Sequence, residues 1–160
     1  MVVVGSSALI PLAWVGRLEL VPAVFDDVQT SRIVEEEVIV EGKRGVGPLE
    51  RFLDGVSIAD VPSCAAEVAE MEGIAIGDAS VVLLAADEDE PLVANDRALM
   101  GVARSHGVDT WWVTTLLLAC ESGRVDWRWG KRCAVRSRFG WNEPQSTGVR
   151  AGTTGVGGVG

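Results

Sequence analysis

The 160-residue chain contains one histidine, His106, and three cysteines, Cys64, Cys120 and Cys133. Without a second histidine, a histidine-based zinc site has no support, and no nucleophile–base pair is readable. The cysteines are too widely spaced for a disulfide framework or a metal cluster, which implies a reducing cytoplasm. Lysine is nearly missing from the first 127 residues, where Lys43 stands alone beside seven arginines. No apolar run approaches the length that spans a bilayer. The opening valines have no basic segment before them and are too few for a signal peptide, so no membrane role is expected. The "GVG" at 45–47 lacks the spacing and the lysine of a phosphate loop. The terminal "GVGGVG" matches a dinucleotide fingerprint without a strand before it or a helix after it.

What is present is acid. The net charge is −9, but residues 128–160 hold six basic residues and one acidic residue, leaving −14 on the first 127. An acidic, lysine-poor surface stays soluble where salt screens its self-repulsion, as in a salt-adapted cytoplasm; an ordinary acidic protein has the same composition. Such a surface offers little to phosphates, so any nucleic-acid site must be local or must work through bound metal. Apolar residues make up 48% of the chain, enough for one domain with an ordinary core.

The order of elements is repetitive. "VVV" (2–4) reads as a buried strand, with Ser6 or Ser7 capping a helix from about Ala8 to Gly16. A short helix carrying Pro22 follows, then a strand at 27–30. Ser31 caps "RIVEEEVIVEG", which Gly42 closes. "PLERFLDG" is a short helix starting at Pro48, and 56–62 is extended. Helices at 63–72 and from Asp78 lead to the strand "PLVAN" (91–95). A helix before Gly107, the strand "VDTWWV" (108–113) and a helix capped by Thr114 or Thr115 complete the run. Trp111 and Trp112 are adjacent in a strand and face opposite ways. Strands alternating with helices predict a parallel sheet covered on both faces, with ligands bound beyond the carboxyl ends of its strands. From about Arg128 this grammar stops. The Gly- and Arg-rich tail reads as disordered, or as an out-of-frame translation of a GC-rich stretch.

Three acids stand out: Asp78 and Asp96, which fall where such a sheet binds ligands, and Glu37, on a core-facing helix position. At about 100° per residue, Glu37 lies within the apolar arc of its helix, while Glu35 and Glu36 flank it. A carboxylate on a core face needs an arginine, solvent at the sheet end, or a metal. Asp78 opens an apolar helix, and Asp96 joins a strand to a helix. Capping is the simple role for both aspartates. "ADEDE" (86–90) reads as a solvated turn.

Together, "VVVGSSALIPLAWVGRLELV", "IVEEEV", "GDASVVLLAADEDEPLVANDRAL" and "VARSHGV" resemble a PIN domain over roughly residues 1–125. The likeness is to the small prokaryotic PIN proteins, many of them toxins of type II toxin–antitoxin pairs. It implies a three-layer α/β/α sandwich with a central parallel sheet over 1–127. It also implies metal-dependent cleavage of RNA, with acidic residues holding Mg²⁺ or Mn²⁺. The family's helix glutamate matches Glu37. The aspartate of its "DA" helix matches Asp78, and the aspartate of its T-x-D pattern matches Asp96, with Ala94 in the threonine place. The family's first aspartate falls at Gly5, and Ser6 and Ser7 match the polar residues after it. The catalytic and metal-binding set implied is therefore Glu37, Asp78 and Asp96, with one carboxylate lost.

The expected partners are single-stranded RNA, an antitoxin protein and a second copy of the chain in a homodimer. Three functions stay open at this point. One is a ribonuclease impaired by Gly5, and another is a degenerate PIN domain that binds an antitoxin or RNA without cutting. The third is an unrelated α/β regulatory domain whose acids are helix caps.

Overall fold

The computed structural model describes residues 1–121; the expected tail at 128–160 lies outside the described residues. The sheet is built from β1 (Val2–Val4), β2 (Val28–Ser31), β3 (Ser57–Ala59), β4 (Leu92–Ala94) and β5 (Thr110–Trp112). Every pairing is parallel, and the order is β3-β2-β1-β4-β5. β1, β2 and β4 are buried throughout, as expected of strands covered on both faces. The outermost strands, β3 and β5, are more exposed.

Parallel neighbours need crossovers, and these are right-handed almost without exception. Chain travel from β1 to β2 to β3 therefore puts α1 (Ser6–Val15), α2 (Leu20–Val24), α3 (Arg32–Val38) and α4 (Val46–Leu53) on one face. Travel the other way, from β3 to β4 to β5, puts α5 (Ala65–Glu72), α6 (Ile76–Asp87) and α7 (Arg97–Ser105) on the opposite face. The packing agrees for most of these helices: α1 meets α3 and α4, and α6 meets α5, α7, β1 and β2, while α3 meets α6 as well as α1. α8 (Val113–Glu121) returns to pack on α2. The result is the expected three-layer α/β/α sandwich. One continuous core joins β1 and β4 to Leu9 and Leu12 below and to Val81, Val82 and Leu99 above. Trp111 and Trp112 are half-buried against this core, with Trp111 edge-on to Phe25 at 5.4 Å between ring centres.

Several boundaries differ from those read in the sequence. α1 begins at Ser6 with Gly5 as its N-cap, and neither serine caps it. α3 ends at Val38, four residues before Gly42, because Ile39 leaves the helical conformation. Pro48 is the third residue of α4, which starts after Gly45. α6 starts at Ile76, which places Asp78 inside its first turn. α8 starts at Val113, ahead of both threonines. Ser31 does cap α3 by accepting the Val34 amide at 3.3 Å, and Gly16 does end α1 in the left-handed conformation at φ 66°.

Candidate metal and nucleic-acid site

The strand order reverses between β1 and β4, because β1 leads leftward to β2 while β4 leads rightward to β5. At such a point the crossovers leave opposite faces and a crevice opens beyond the strand ends. Gly5 follows β1 and Asp96 follows β4, so both lie at this crevice. Thr30 Oγ1 donates to the Val4 carbonyl at 2.7 Å, and the Gly5 amide donates to Val93 at 3.1 Å. Ser7 Oγ accepts the Asn95 amide at 3.1 Å, tying the start of α1 to the loop that carries Asp96.

Asp96 caps α7: its Oδ1 accepts the Leu99 amide at 2.8 Å, and the residue is exposed. The cap occupies one carboxylate oxygen and leaves the other free of that bond. Asp78 is half-buried in the first turn of α6. Its carboxyl is pushed from an ordinary 3.8 up to about 6, first by burial, then by the charge of Glu37, then by that of Asp96. Asp78, on α6, thus feels the charges of Glu37 on α3 and of Asp96 at the end of β4.

Glu37 departs from expectation. It is exposed, whereas Val34 and Val38 are buried. Because α3 stops at Val38, Val40 contributes nothing to the buried face. The apolar arc is narrower than the sequence implied, and Glu37 sits on its shoulder. Its carboxylate lies over the Gly77 backbone, where a Cβ on residue 77 would come 2.8 Å from Glu37 Cδ. Among the described residues, no three His, Cys, Asp or Glu side chains stand close enough to cage an ion as they are.

Gly5 is required neither by its backbone nor by its surroundings. Its φ of −95° and ψ of 163° are extended values open to any residue. A Cβ there would meet Leu99 Cδ2 and Val81 Cγ2 at 3.7 Å and Ser7 Oγ at 3.9 Å, all ordinary contacts. A buried serine pair, not expected from the sequence, joins the same elements. Ser31 Oγ and Ser80 Oγ are 2.6 Å apart and fully buried, and Ser80 Oγ donates to the Gly77 carbonyl at 2.6 Å. Ser80 was hidden within an apolar helix, and only its polarity at a core position could have marked it.

A family model described as a PIN domain, DUF3368, matches residues 1–126. The chain belongs to the PIN domain family. PIN domains are generally nucleases, typically bind RNA and generally depend on divalent metal. Among solved structures, the chain is similar to PAE2754 from Pyrobaculum aerophilum, with 19% identity and a TM-score of 0.56 over 76% of this chain and 96% of that one. It is also similar to the PilT N-terminus domain protein SSO1118 from the hyperthermophilic archaeon Sulfolobus solfataricus P2. There the identity is 15% and the TM-score 0.53, over 74% of this chain and 91% of that one. At these identities the likeness shows the fold alone. No curated protein matches the chain in sequence. Among the described residues, no helix of this PIN domain is long and apolar enough to cross a membrane.

Proposed function

We propose that this PIN domain is a divalent-metal-dependent endoribonuclease of single-stranded RNA, acting as the toxin of a type II toxin–antitoxin pair and impaired by Gly5. The observation that carries the reading is the raised carboxyl of Asp78, held near the charges of Glu37 and Asp96 at the topological switch point. Carboxylates kept together against their own repulsion are relieved by a cation. The donor set is three carboxylates, which suits Mg²⁺ or Mn²⁺. Mg²⁺ retains several waters and so asks few direct ligands of the protein. Glu37, Asp78 and Asp96 would hold the ion, and Asp96 would do so through the oxygen that does not cap α7.

Bound there, the ion would lower the pKa of a water for attack on the phosphodiester and offset charge on the leaving oxygen. The chain's own part is to fix its three acids. β4 and the α7 cap hold Asp96, the first turn of α6 holds Asp78, and α3 presents Glu37. An acidic protein can then take a polyanionic substrate, because the positive charge is local. Single-stranded RNA fits because its backbone and bases are accessible.

The second reading, binding an antitoxin or RNA without cleavage, is favoured by Gly5. An aspartate has room there, yet the carboxylate is missing beside two elements that carry the other acids.

One assay decides between them. The parent, Gly5→Asp and Glu37→Gln are compared for Mn²⁺-dependent cleavage of single-stranded RNA. Weak cleavage by the parent, enhanced by Gly5→Asp and lost in Glu37→Gln, is expected. Cleavage only after Gly5→Asp would favour the binding reading. No cleavage and no Mn²⁺ binding by either would leave the acids as helix caps. Co-purification of the full chain with a protein encoded beside it tests the antitoxin, and sedimentation of the isolated chain tests the homodimer.

A further inference from the structure

The seat of Glu37 is built from a residue that has no side chain. Gly77 is buried in the first turn of α6 with an ordinary helical backbone, so its conformation does not call for glycine. What calls for it is space. The place a Cβ would take is filled by the Glu37 carboxyl group, whose Cδ and Oε2 are each 2.8 Å from it. A second feature fixes the same peptide from below. Each hydroxyl has one proton to give. Ser80 spends its own on the Gly77 carbonyl, so it must accept from Ser31, and Ser31 in turn accepts the Val34 amide. The bonds run from α3 to Ser31, to Ser80 and to Gly77 in one direction, which strengthens each of them. This chain joins the cap of the helix that carries Glu37 to the turn that carries Asp78, across the two helical layers.

We infer that Gly77, fixed by the Ser31–Ser80 hydroxyl chain, is a positioning residue that seats the Glu37 carboxylate beside Asp78. Its consequence for metal rests on the proposed function above. Glu37 is exposed and its carboxylate is the far end of a flexible side chain. Filling the seat therefore swings Glu37 away without unfolding the helix, and alanine is itself the better helix former.

The test uses the full chain and two readouts. In the metal-free protein, nuclear Overhauser contacts are expected between the Glu37 γ-methylene and the Gly77 α-protons. Gly77→Ala is expected to displace the Glu37 side-chain resonances. Calorimetric titration with MnCl₂ should then show Gly77→Ala weakening affinity about tenfold, as Glu37→Gln does, with Tm no lower than the parent's. Gly101→Ala is the control. A Cβ at residue 101 in α7 meets nothing within 4 Å, so this variant should raise Tm and leave Mn²⁺ affinity unchanged. Missing contacts in the parent, or unmoved Glu37 resonances in Gly77→Ala, would overturn the seat. If the resonances respond but parent and Glu37→Gln titrate alike, the seat stands and the metal role of Glu37 falls.

Discussion

Asp78 carries the charge conflict of the site, and its titration has a definite sign. Its carboxyl is raised to about 6 in the fold, against an ordinary 3.8. Between those values the folded chain keeps a proton that the unfolded chain has released. Stability from this residue is therefore full below about pH 4 and is lost as the pH climbs through about 6. Asp78→Asn should flatten that fall and raise the urea midpoint at about pH 7 in metal-free buffer, while leaving it little changed at about pH 4. Added Mn²⁺ should raise the midpoint of the parent at about pH 7 and not that of the variant, since only the parent keeps all three carboxylates. A midpoint in Asp78→Asn that still falls between those pH values would place the raised carboxyl elsewhere.

At the scale of elements, α3 and α6 decide the site together, and they were unequally legible. Strand identity was readable because "VVV" and "PLVAN" are short and largely apolar, and because "DVQT", polar as it is, separates two helical segments. Asp78 was readable from its place at a helix start and Asp96 from its place after a strand, while Glu37 stood out only by its angle on the helical wheel. The end of α3 was not readable, because "VIVEG" continues the apolar spacing past Val38 while Ile39 turns out of the helix to pack on the core. That overextension put Glu37 at the middle of a buried face. The start of α6 was missed for a related reason. Gly77 looks like a break in sequence, and only the Glu37 carboxylate, which lies in another helix, shows why glycine belongs there. Ser31 now has two duties, as cap and as donor to Ser80. Ser31→Ala should cost about 1–3 kcal/mol in urea unfolding, more than an exposed cap, because it also strips Ser80 of its buried donor. A loss of only a few tenths would reduce Ser31 to a surface cap.

Over the whole molecule, charge and topology pull in different directions. A net −14 on the first 127 residues means that the compact state works against its own repulsion at low salt. Raising KCl from about 0.1 to about 1 M shortens the screening length from about 10 to about 3 Å, and thermal melts should shift upward. A Tm that stays level or drops with salt would remove acidity as a stability factor and with it the salt-adapted reading.

The topology has a temporal consequence. The central strand is made before the other four strands of its sheet, yet Val3 pairs with Leu92, some ninety residues later. Contacts of such separation fold slowly, because a long loop must close before they contribute. Until β4 leaves the ribosome, β1 has an open flank, and Glu37 and Asp78 have no Asp96 beside them. A nascent chain of this design cannot bring its three acids together early: Glu37 and Asp78 wait for β4 to be made and threaded beside β1.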